Sequence, residues 1–270
     1  MKTIGFIGCG NMGKAMVEGI MKANLVDGDH MIVSNTRPEK LQELSSQYDD
    51  FYISDNVSVA KNSDLLFLAV KPYLYKDVID EIKEYVKHDS IVIAIAAGIS
   101  IQDMYHMFGR MCKVVRAMPN TPAMVGEGMS ALAFGELLDD DDKEEVVSIF
   151  ESFGKCAEVK ETMMEAVAVV SGASPAYLFM IMEAMADGAV LEGMPRNDAY
   201  TFAAQAMLGS AKMVLETGKH PGELKDMVCT PGGTTIEAVA VLEACGVRSA
   251  IIEAMRACAD KSREMGKKHK

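Results

Sequence analysis

A proline, two adjacent glycines and three threonines stand together at residues 230–235, which read TPGGTT. Pro231 has a fixed φ and no amide hydrogen, and the two glycines after it permit backbone conformations that a side chain would forbid. Residues 234–237 (TTIE) have the form of a capping box, so we expect a helix that begins at about Thr234, with Thr234 and Glu237 as the capping pair. Backbone amides at such a helix start suit a small carboxylate or phosphate. Capping boxes are common, and these residues alone favour the simpler interpretation of a capped helix after a tight turn.

A second glycine motif lies near the N-terminus. Residues 8–13 read GCGNMG and come directly between a short apolar strand pattern at 4–7 and an apolar helical face at 16–21. Strand, G-x-G-x-x-G and helix in this order are the context that the dinucleotide fingerprint requires. The sequence therefore predicts a dinucleotide at the first strand-to-helix turn, in preference to a turn that is merely tight.

The end of the second strand bears on the choice between NADH and NADPH. Folds that prefer NAD place an acidic residue there to hold the ribose 2′-hydroxyl. Residues 34–37 read SNTR here and contain no acid. The hydroxyl, amide and guanidinium donors of Ser34, Asn35 and Arg37 suit a 2′-phosphate, so we expect NADPH to be preferred over NADH. Residues 36–39 also form a possible capping box around a proline, which gives Thr36 a structural alternative.

The sequence offers no compelling general acid. Three histidines, His88, His106 and His220, fall in a linker, an amphipathic helix and a helix entry. Lys71 is the only lysine expected at the carboxyl end of a strand, and a charged residue leaving the sheet explains it about as well. No Ser/His/Asp or Cys/His constellation is evident. The residues favour a reaction that needs orientation and hydride transfer, such as reduction of a C=N bond that arrives already protonated.

The elements that must position these residues follow two patterns. Up to about residue 160, strand and helix patterns alternate, and the near-continuous apolar runs at 64–70 and 91–95 are typical of buried parallel strands. Further strands are expected at 51–53, 114–118, 128–134 and 156–159. The small residues at 96–98 leave room for a ligand where doubly wound sheets bind one, although close packing of the next helix explains them equally well.

From residue 161 onward the strand patterns disappear, and Ala, Met and Glu recur at helical spacing. Helices are expected at 162–170, 175–193, 197–216, 221–228, 234–245 and 247–265. We therefore predict an α/β fold in which an N-terminal Rossmann-type, doubly wound and mostly parallel sheet (1–160) is followed by an all-α dimerisation domain (161–270). A helical module this rich in Ala and Met often buries its surplus apolar face against a second copy, so we expect a homo-oligomer.

Composition excludes several classes of partner. With 27 basic and 39 acidic residues, the net charge is 27 − 39 = −12, which argues against a nucleic acid or an anionic membrane. The six cysteines and five histidines show no metal-binding spacing, so reduced thiols and no metal are expected. No signal peptide or membrane-length apolar run is evident, and we expect a soluble cytoplasmic protein.

Several segments together resemble one family, the pyrroline-5-carboxylate reductases. They occur in order along nearly the whole chain, at 8–13 (GCGNMG), 69–72 (AVKP), 116–122 (RAMPNTP), 171–177 (SGASPAY) and 220–238, which ends in TPGGTTIEA. The resemblance implies reduction of 1-pyrroline-5-carboxylate to L-proline by NAD(P)H, the last step of proline biosynthesis. The family pattern has a glycine where this chain has Ser174, which leaves the backbone geometry there open.

The resemblance also implies which residues form the site. The substrate carboxylate would be held by Gly232, Gly233, Thr234 and Thr235, and we expect the Thr235 hydroxyl to act in catalysis by orienting the ring nitrogen or the carboxylate. The cofactor would lie along Ile7, Gly8, Cys9, Gly10, Asn11, Met12, Gly13, Ser34, Asn35, Arg37, Asn56, Ala69, Val70, Lys71, Pro72, Ala96, Ala97 and Gly98. Members of the family form dimers that commonly assemble into decamers of five dimers, and their site uses both subunits.

Three other functions remain open at this level. A β-hydroxyacid dehydrogenase would use a lysine on a helix of the second domain, but Lys212, the main candidate, lacks the expected glycine-rich context. A reductase of another cyclic imine is harder to exclude. A sensor that binds the cofactor without turnover would not need the carboxylate-type loop.

Overall fold

The structure is a computed structural model that describes residues 2–37, 39–48 and 51–268. Within these residues, a single sheet contains eight strands. In chain order they are β1 (Ile4–Ile7), β2 (Met31–Ser34), β3 (Tyr52–Ile53), β4 (Leu65–Leu68), β5 (Ile91–Ala94), β6 (Lys113–Met118), β7 (Gly128–Phe134) and β8 (Gly154–Glu158). The helices that accompany the sheet are α1 (Asn11–Lys22), α2 (Glu39–Ser45), α3 (Asn56–Asn62), α4 (Tyr75–Ile82), α5 (Ile101–Phe108) and α6 (Asp140–Glu151).

The strand order is β3-β2-β1-β4-β5-β6-β7-β8, and all neighbours run parallel except β6 and β7, which are antiparallel. The chain moves from β1 outward to β3 and then returns to place β4 on the other side of β1. The order therefore reverses between β1 and β4, which is the topological switch point where doubly wound sheets bind ligands. The predicted Rossmann-type, mostly parallel sheet is confirmed.

Both faces of the sheet are covered, which explains why the central strands read as continuous apolar runs. All four residues of β1, β4 and β5 are buried. Phe6 of β1 joins a core with α1, α2 and α6, where its ring stacks on Phe67 at a centroid distance of 4.4 Å. Ile7, the next residue, joins a separate core with α3, α4 and α5.

Side-chain caps begin three of the helices that accompany the sheet. Asp55 accepts a hydrogen bond from the backbone amide of Ser58 at the start of α3. Ser100 forms a capping box at α5, and Asp139, the first of four consecutive aspartates, forms another at α6. Each cap satisfies an amide that the helix leaves unpaired. The other possible capping box, at 36–39, includes Pro38, which lies outside the described residues.

The chain divides into two compact units, Met1–Ala173 together with Cys258–Lys270, and Ser174–Ala257. Strands end before residue 161 as expected, but the first helical residues belong to the sheet unit. They form a 3₁₀ turn (Glu161–Met163), α7 (Met164–Val167) and a π-helical turn (Ala168–Gly172), in place of the single helix expected at 162–170. Met164 is completely buried in the core beside α3, α4 and α5, which explains the assignment to the sheet unit.

The second unit is entirely helical in the residues described. It contains α8 (Ser174–Leu191), α9 (Arg196–Thr217), α10 (Pro221–Val228), α11 (Thr234–Ala244) and the beginning of α12 (Val247–Lys268). Many of its large apolar side chains are exposed, including Phe179, Met180, Phe202 and Leu215. The stretch Glu161–Leu191 also has the length and apolar composition of a membrane span, with a mean hydropathy of 1.5. A helix that is apolar on all sides is normally covered, by protein or by lipid.

Candidate functional site

The three glycines of the first turn meet three different structural requirements. Gly8 has a φ of +89°, and a Cβ there would lie 2.9 Å from the backbone of Ala69. A Cβ on Gly13 would lie 2.9 Å from the carbonyl oxygen of Gly8. At Gly10, by contrast, a Cβ would meet no atom within 4 Å, so the space beside its backbone is open. A tight turn, close helix packing and open backbone approach are the three roles that a dinucleotide fingerprint assigns to its glycines.

The same turn leaves a helix start open to an anion. Gly10 is the N-cap of α1 and supplies no side-chain cap, and the first turn contains no acidic residue. The first intrahelical bond joins the Lys14 amide to the Gly10 carbonyl at 2.8 Å. The amides of Asn11, Met12 and Gly13 have no partner within the helix, and together with the helix dipole they suit a pyrophosphate. The residues present therefore fit a dinucleotide.

Cys9 stands inside this turn but has no feature of a reactive thiol. Its side chain packs against the core that contains Phe6 and Phe67. Burial raises the pKa of the Cys9 thiol to about 11. The thiol is neutral at pH 7, and only the thiolate would be nucleophilic.

The donors at the end of β2 have divided roles. Ser34 is buried, and its hydroxyl donates to Oδ1 of Asn56 at 2.7 Å, while Nδ2 of Asn56 donates to Glu81 at 2.8 Å. A hydroxyl carries one proton. In this arrangement Ser34 orients Asn56 and offers no free donor of its own to a 2′-phosphate, contrary to the expectation from the sequence.

The other two donors at this strand end remain available. The side-chain amide of Asn35 lies 3.4 Å from the carbonyl of Cys9, at the outer limit of a hydrogen bond, and so has donor capacity left. Arg37 is exposed, and no ion pair joins it to another described residue. Asn35 and Arg37 are therefore two side chains at this strand end with donors left for a phosphate.

The turns after β4 and β5 lie side by side. The amide of Ala69 still bonds to the carbonyl of Ile7 at 2.8 Å. Lys71 is the residue before the 3₁₀ turn Pro72–Leu74; its side chain is exposed and does not cap that turn. Gly98 closes the second turn with a φ of +80°. Nothing in these contacts gives Lys71 a role in proton transfer.

Beneath the two turns lies a residue that sequence reasoning missed. The hydroxyl of Tyr75, at the start of α4, accepts hydrogen bonds from the amides of Ile95 and Ala96 and donates one to the carbonyl of Leu68. A buried tyrosine needs a partner for its hydroxyl, but the sequence shows neither the burial of Tyr75 nor its backbone partners.

The first unit brings all the expected cofactor residues to one edge of the sheet. They lie at the carboxyl ends of β1 to β5, in the turns that follow those strands, or in the first turn of α1 or α3. Parallel strands end at the same edge, so this gathering follows from the topology. Residues 230–235 belong to the second unit.

Residues 230–235 form a turn that leads into α11. The amide of Gly233 donates to the carbonyl of Thr230 at 3.0 Å, and Gly232 between them has a φ of +67°. Pro231 at the second position and a glycine of positive φ at the third are typical of a type II turn. A Cβ on Gly233 would lie 2.3 Å from Oγ1 of Thr230, so a larger residue there would require the Thr230 side chain to move.

The prediction of a capping box at 234–237 is wrong, although the helix begins at Thr234 as expected. The N-cap is Gly233, whose φ of −81° and ψ of 169° are extended, and no side chain caps the helix. Thr234 is already helical, so its hydroxyl cannot occupy the N-cap position that a capping box requires. The first amides of α11 are thus left for another acceptor.

Thr235 lies in the first turn of α11 with its side chain half-buried. Within the described part of the chain, no hydrogen bond engages its hydroxyl or that of Thr234. Open amides and an uncommitted hydroxyl at one helix start can bind a carboxylate and orient an adjacent polar atom.

Two further motif segments are joined by side-chain contacts in the first unit. Nδ2 of Asn120 donates to Oγ of Ser171 at 3.1 Å, and its Oδ1 accepts from the amide of Met129 at 2.9 Å. Ser171 lies in the π-helical turn, a rare conformation that is frequent at functional sites. Ser174 begins α8 in a regular helix, so the position does not need the backbone freedom of glycine.

Each half of the chain matches a known protein family. Residues 3–98 match the family described as NADP oxidoreductase, coenzyme F420-dependent, and residues 161–265 match the family described as pyrroline-5-carboxylate reductase dimerisation. The chain therefore carries a dimerisation domain in its helical half.

Relatives match over nearly the full length. The pyrroline-5-carboxylate reductase of Escherichia coli K12 is 49% identical over 98% of this chain and 99% of its own length. That of Methanosarcina acetivorans is 42% identical over 99% of each chain. The solved structure of Plasmodium falciparum pyrroline carboxylate reductase with NADP bound has a TM-score of 0.89 and 31% identity, covering 98% of both chains. At this identity and coverage, the chain belongs to the pyrroline-5-carboxylate reductase family.

Proposed function

We infer that this protein reduces 1-pyrroline-5-carboxylate to L-proline, the last step of proline biosynthesis. It is an NAD(P)H-dependent oxidoreductase that acts on a C=N bond. Within the molecule, the observation that carries this proposal is the uncapped start of α11, where Gly233 leaves the first amides free beside the Thr235 hydroxyl. A substrate with one small carboxylate next to a ring nitrogen matches that arrangement.

The residues of this chain bind and orient the substrate. The amides at Thr234 and Thr235 hold the carboxylate, because the positive end of the helix dipole favours an anion. The Thr235 hydroxyl orients the ring nitrogen or the carboxylate. When bound, the reduced nicotinamide supplies the hydride that forms the new C–H bond at C5. The C=N electron pair moves to a nitrogen that arrives protonated, so no side chain has to act as the acid.

We propose that NADPH is preferred over NADH, because the end of β2 has no carboxylate to hold a 2′-hydroxyl. Arg37→Ala is expected to raise KM for NADPH about 10- to 100-fold, the scale of one hydrogen bond to a charged group. The KM for NADH should change by less than about twofold, since NADH has no 2′-phosphate. Steady-state kinetics with both cofactors measures the difference. Arg37→Lys is the control that keeps the charge without the guanidinium fork, and an equal loss with both cofactors would refute the 2′-phosphate contact.

One assay tests the activity. The purified protein is expected to oxidise NADPH, followed by absorbance, when 1-pyrroline-5-carboxylate is added. Parallel reactions use NADH and a piperideine carboxylate, whose six-membered ring tests for a reductase of another cyclic imine. A protein that binds NADPH but turns over neither imine would be a sensor, and the proposal would be abandoned.

We propose that residues 161–270 form the dimerisation domain of a homodimer, and that five such dimers assemble into a decamer. Exposed apolar side chains on α8 and α9 support this, because a second copy would cover them. The net charge of −12 disfavours a nucleic acid or an anionic membrane as partner. Six free cysteines fit the reducing cytoplasm. Sedimentation velocity is expected to show a dimer or a decamer, and a monomer at micromolar concentration would contradict the assembly.

A further inference from the structure

Tyr75 occupies a position that ties two turns of the cofactor edge together. Its side chain is completely buried, and its hydroxyl lies between the carboxyl ends of β4 and β5. The hydroxyl donates to the carbonyl of Leu68, the last residue of β4, at 2.5 Å. It accepts from the amides of Ile95 and Ala96, directly after β5, at 3.1 and 3.2 Å.

These three backbone groups lie where the sheet ladder ends. The last paired residues of β4 and β5 are Leu68 and Ala94, after which the strands lead into separate turns. A phenol has one proton to donate and two lone pairs to accept, so a single side chain supplies all three missing partners. Burial raises the pKa of the Tyr75 hydroxyl well above its usual value, so it keeps the proton that it donates to Leu68.

We propose that Tyr75 is a positioning residue for the nicotinamide half of the cofactor. Its hydroxyl holds the turns at 69–72 and 96–98 at a fixed separation. The inference rests on the proposed function, which takes these turns as part of the cofactor site. In a doubly wound sheet each half binds one mononucleotide. The glycine turn and the 2′-phosphate donors belong to the β1–β3 half, so the turns after β4 and β5 serve the nicotinamide.

The same two strands offer a matched control at their other ends. The hydroxyl of Ser90, just before β5, donates to the carbonyl of Ser63, close before β4, at 2.8 Å. Both serines are buried. Ser90→Ala therefore removes a buried hydrogen bond between the same neighbouring segments, at the edge of the sheet opposite the cofactor turns.

The experiment compares Tyr75→Phe with Ser90→Ala in the full-length protein. Each variant is titrated with NADPH and with 2′,5′-ADP, which carries the adenosine half and its 2′-phosphate but no nicotinamide. We expect Tyr75→Phe to raise the Kd of NADPH about tenfold or more and to leave the Kd of 2′,5′-ADP within about twofold of the wild-type value. Ser90→Ala should lower the Tm as well but leave both dissociation constants within about twofold.

The positioning role would be overturned if Tyr75→Phe lost affinity for both ligands in equal proportion, or lost affinity for neither. If Tyr75→Phe does not fold, amide hydrogen exchange of residues 91–98 in the wild-type protein tests the positioning role instead. Saturating NADPH is expected to slow its exchange where saturating 2′,5′-ADP does not, and equal protection by the two ligands would overturn the inference. A wild-type protein that binds neither ligand would refute the proposed function itself, which separates the two failures.

Discussion

Gly10→Ala is expected to weaken NADPH binding strongly without disturbing the fold. A Cβ at Gly10 would meet no protein atom within 4 Å, and the φ of −76° there is one that alanine adopts freely. The folded protein should therefore accommodate the methyl group, with a change in unfolding free energy of less than about 0.5 kcal/mol. The open space it fills is the one through which the pyrophosphate must approach the backbone.

The expected loss of NADPH affinity is about 100-fold or more, which corresponds to about 2.7 kcal/mol. Titration of intrinsic NADPH fluorescence measures the Kd, and thermal unfolding without ligand checks the fold. A Gly10→Ala variant that binds NADPH as the wild type does would place the dinucleotide elsewhere.

Gly8→Ala is the informative comparison within the same turn. Its φ of +89° and the backbone of Ala69 at 2.9 Å from a Cβ make alanine strained in the free protein. We expect a loss of about 1–3 kcal/mol of stability together with the loss of NADPH binding. Comparing the two variants distinguishes steric exclusion of the ligand, expected in Gly10→Ala, from damage to the turn itself, expected in Gly8→Ala.

The sheet could be predicted from the sequence because its physical causes are local. Buried parallel strands must be apolar on both faces, and the run at 65–68 reads that way in the chain and is buried throughout in the fold. Helix starts such as that at Ser100 can be recognised in the sequence from a cap residue and its partner at fixed spacing. The division at Ala173 could not be predicted, since it depends on the burial of Met164 against elements distant in sequence.

The candidate site was predictable where backbone geometry alone decides it. The glycines at 8–13 follow a known fingerprint, and the structure has a conformation or spacing at each that fits the fingerprint. Roles that depend on tertiary hydrogen bonds were not predictable. Ser34 looked like a free donor until its partner Asn56 was known, and Tyr75 gave no motif because its three partners are backbone groups on two other elements.

The capping box at 234–237 failed for a related reason. A Thr-x-x-Glu pattern specifies a cap only if its threonine is the last non-helical residue. Gly232 and Gly233 complete the turn one residue early, so Thr234 is already in the helix. The same two glycines thus explain both the wrong prediction and the uncapped helix start.

Thr235→Ala is expected to lower kcat/KM about 10- to 100-fold, or by about 1–3 kcal/mol, the scale of one buried hydrogen bond to a charged group. Most of the loss should be a higher KM for 1-pyrroline-5-carboxylate, because the hydroxyl orients the substrate. Stability should change by less than about 0.5 kcal/mol, since no described residue bonds to this hydroxyl and alanine is a good helix former. The Kd of NADPH should be unchanged.

Two variants show whether the hydroxyl or the shape of Thr235 matters. Thr235→Ser keeps the hydroxyl and should keep kcat/KM within about threefold, whereas Thr235→Val keeps the shape and should behave as Thr235→Ala does. Thr234→Ala controls for the helix start, because Thr234 contributes its amide and its exposed side chain caps nothing. An unchanged kcat/KM in Thr235→Ala would contradict the assignment. A loss in kcat with KM unchanged would mean that the hydroxyl acts mainly in the transition state, because uniform binding of substrate and transition state alters KM alone.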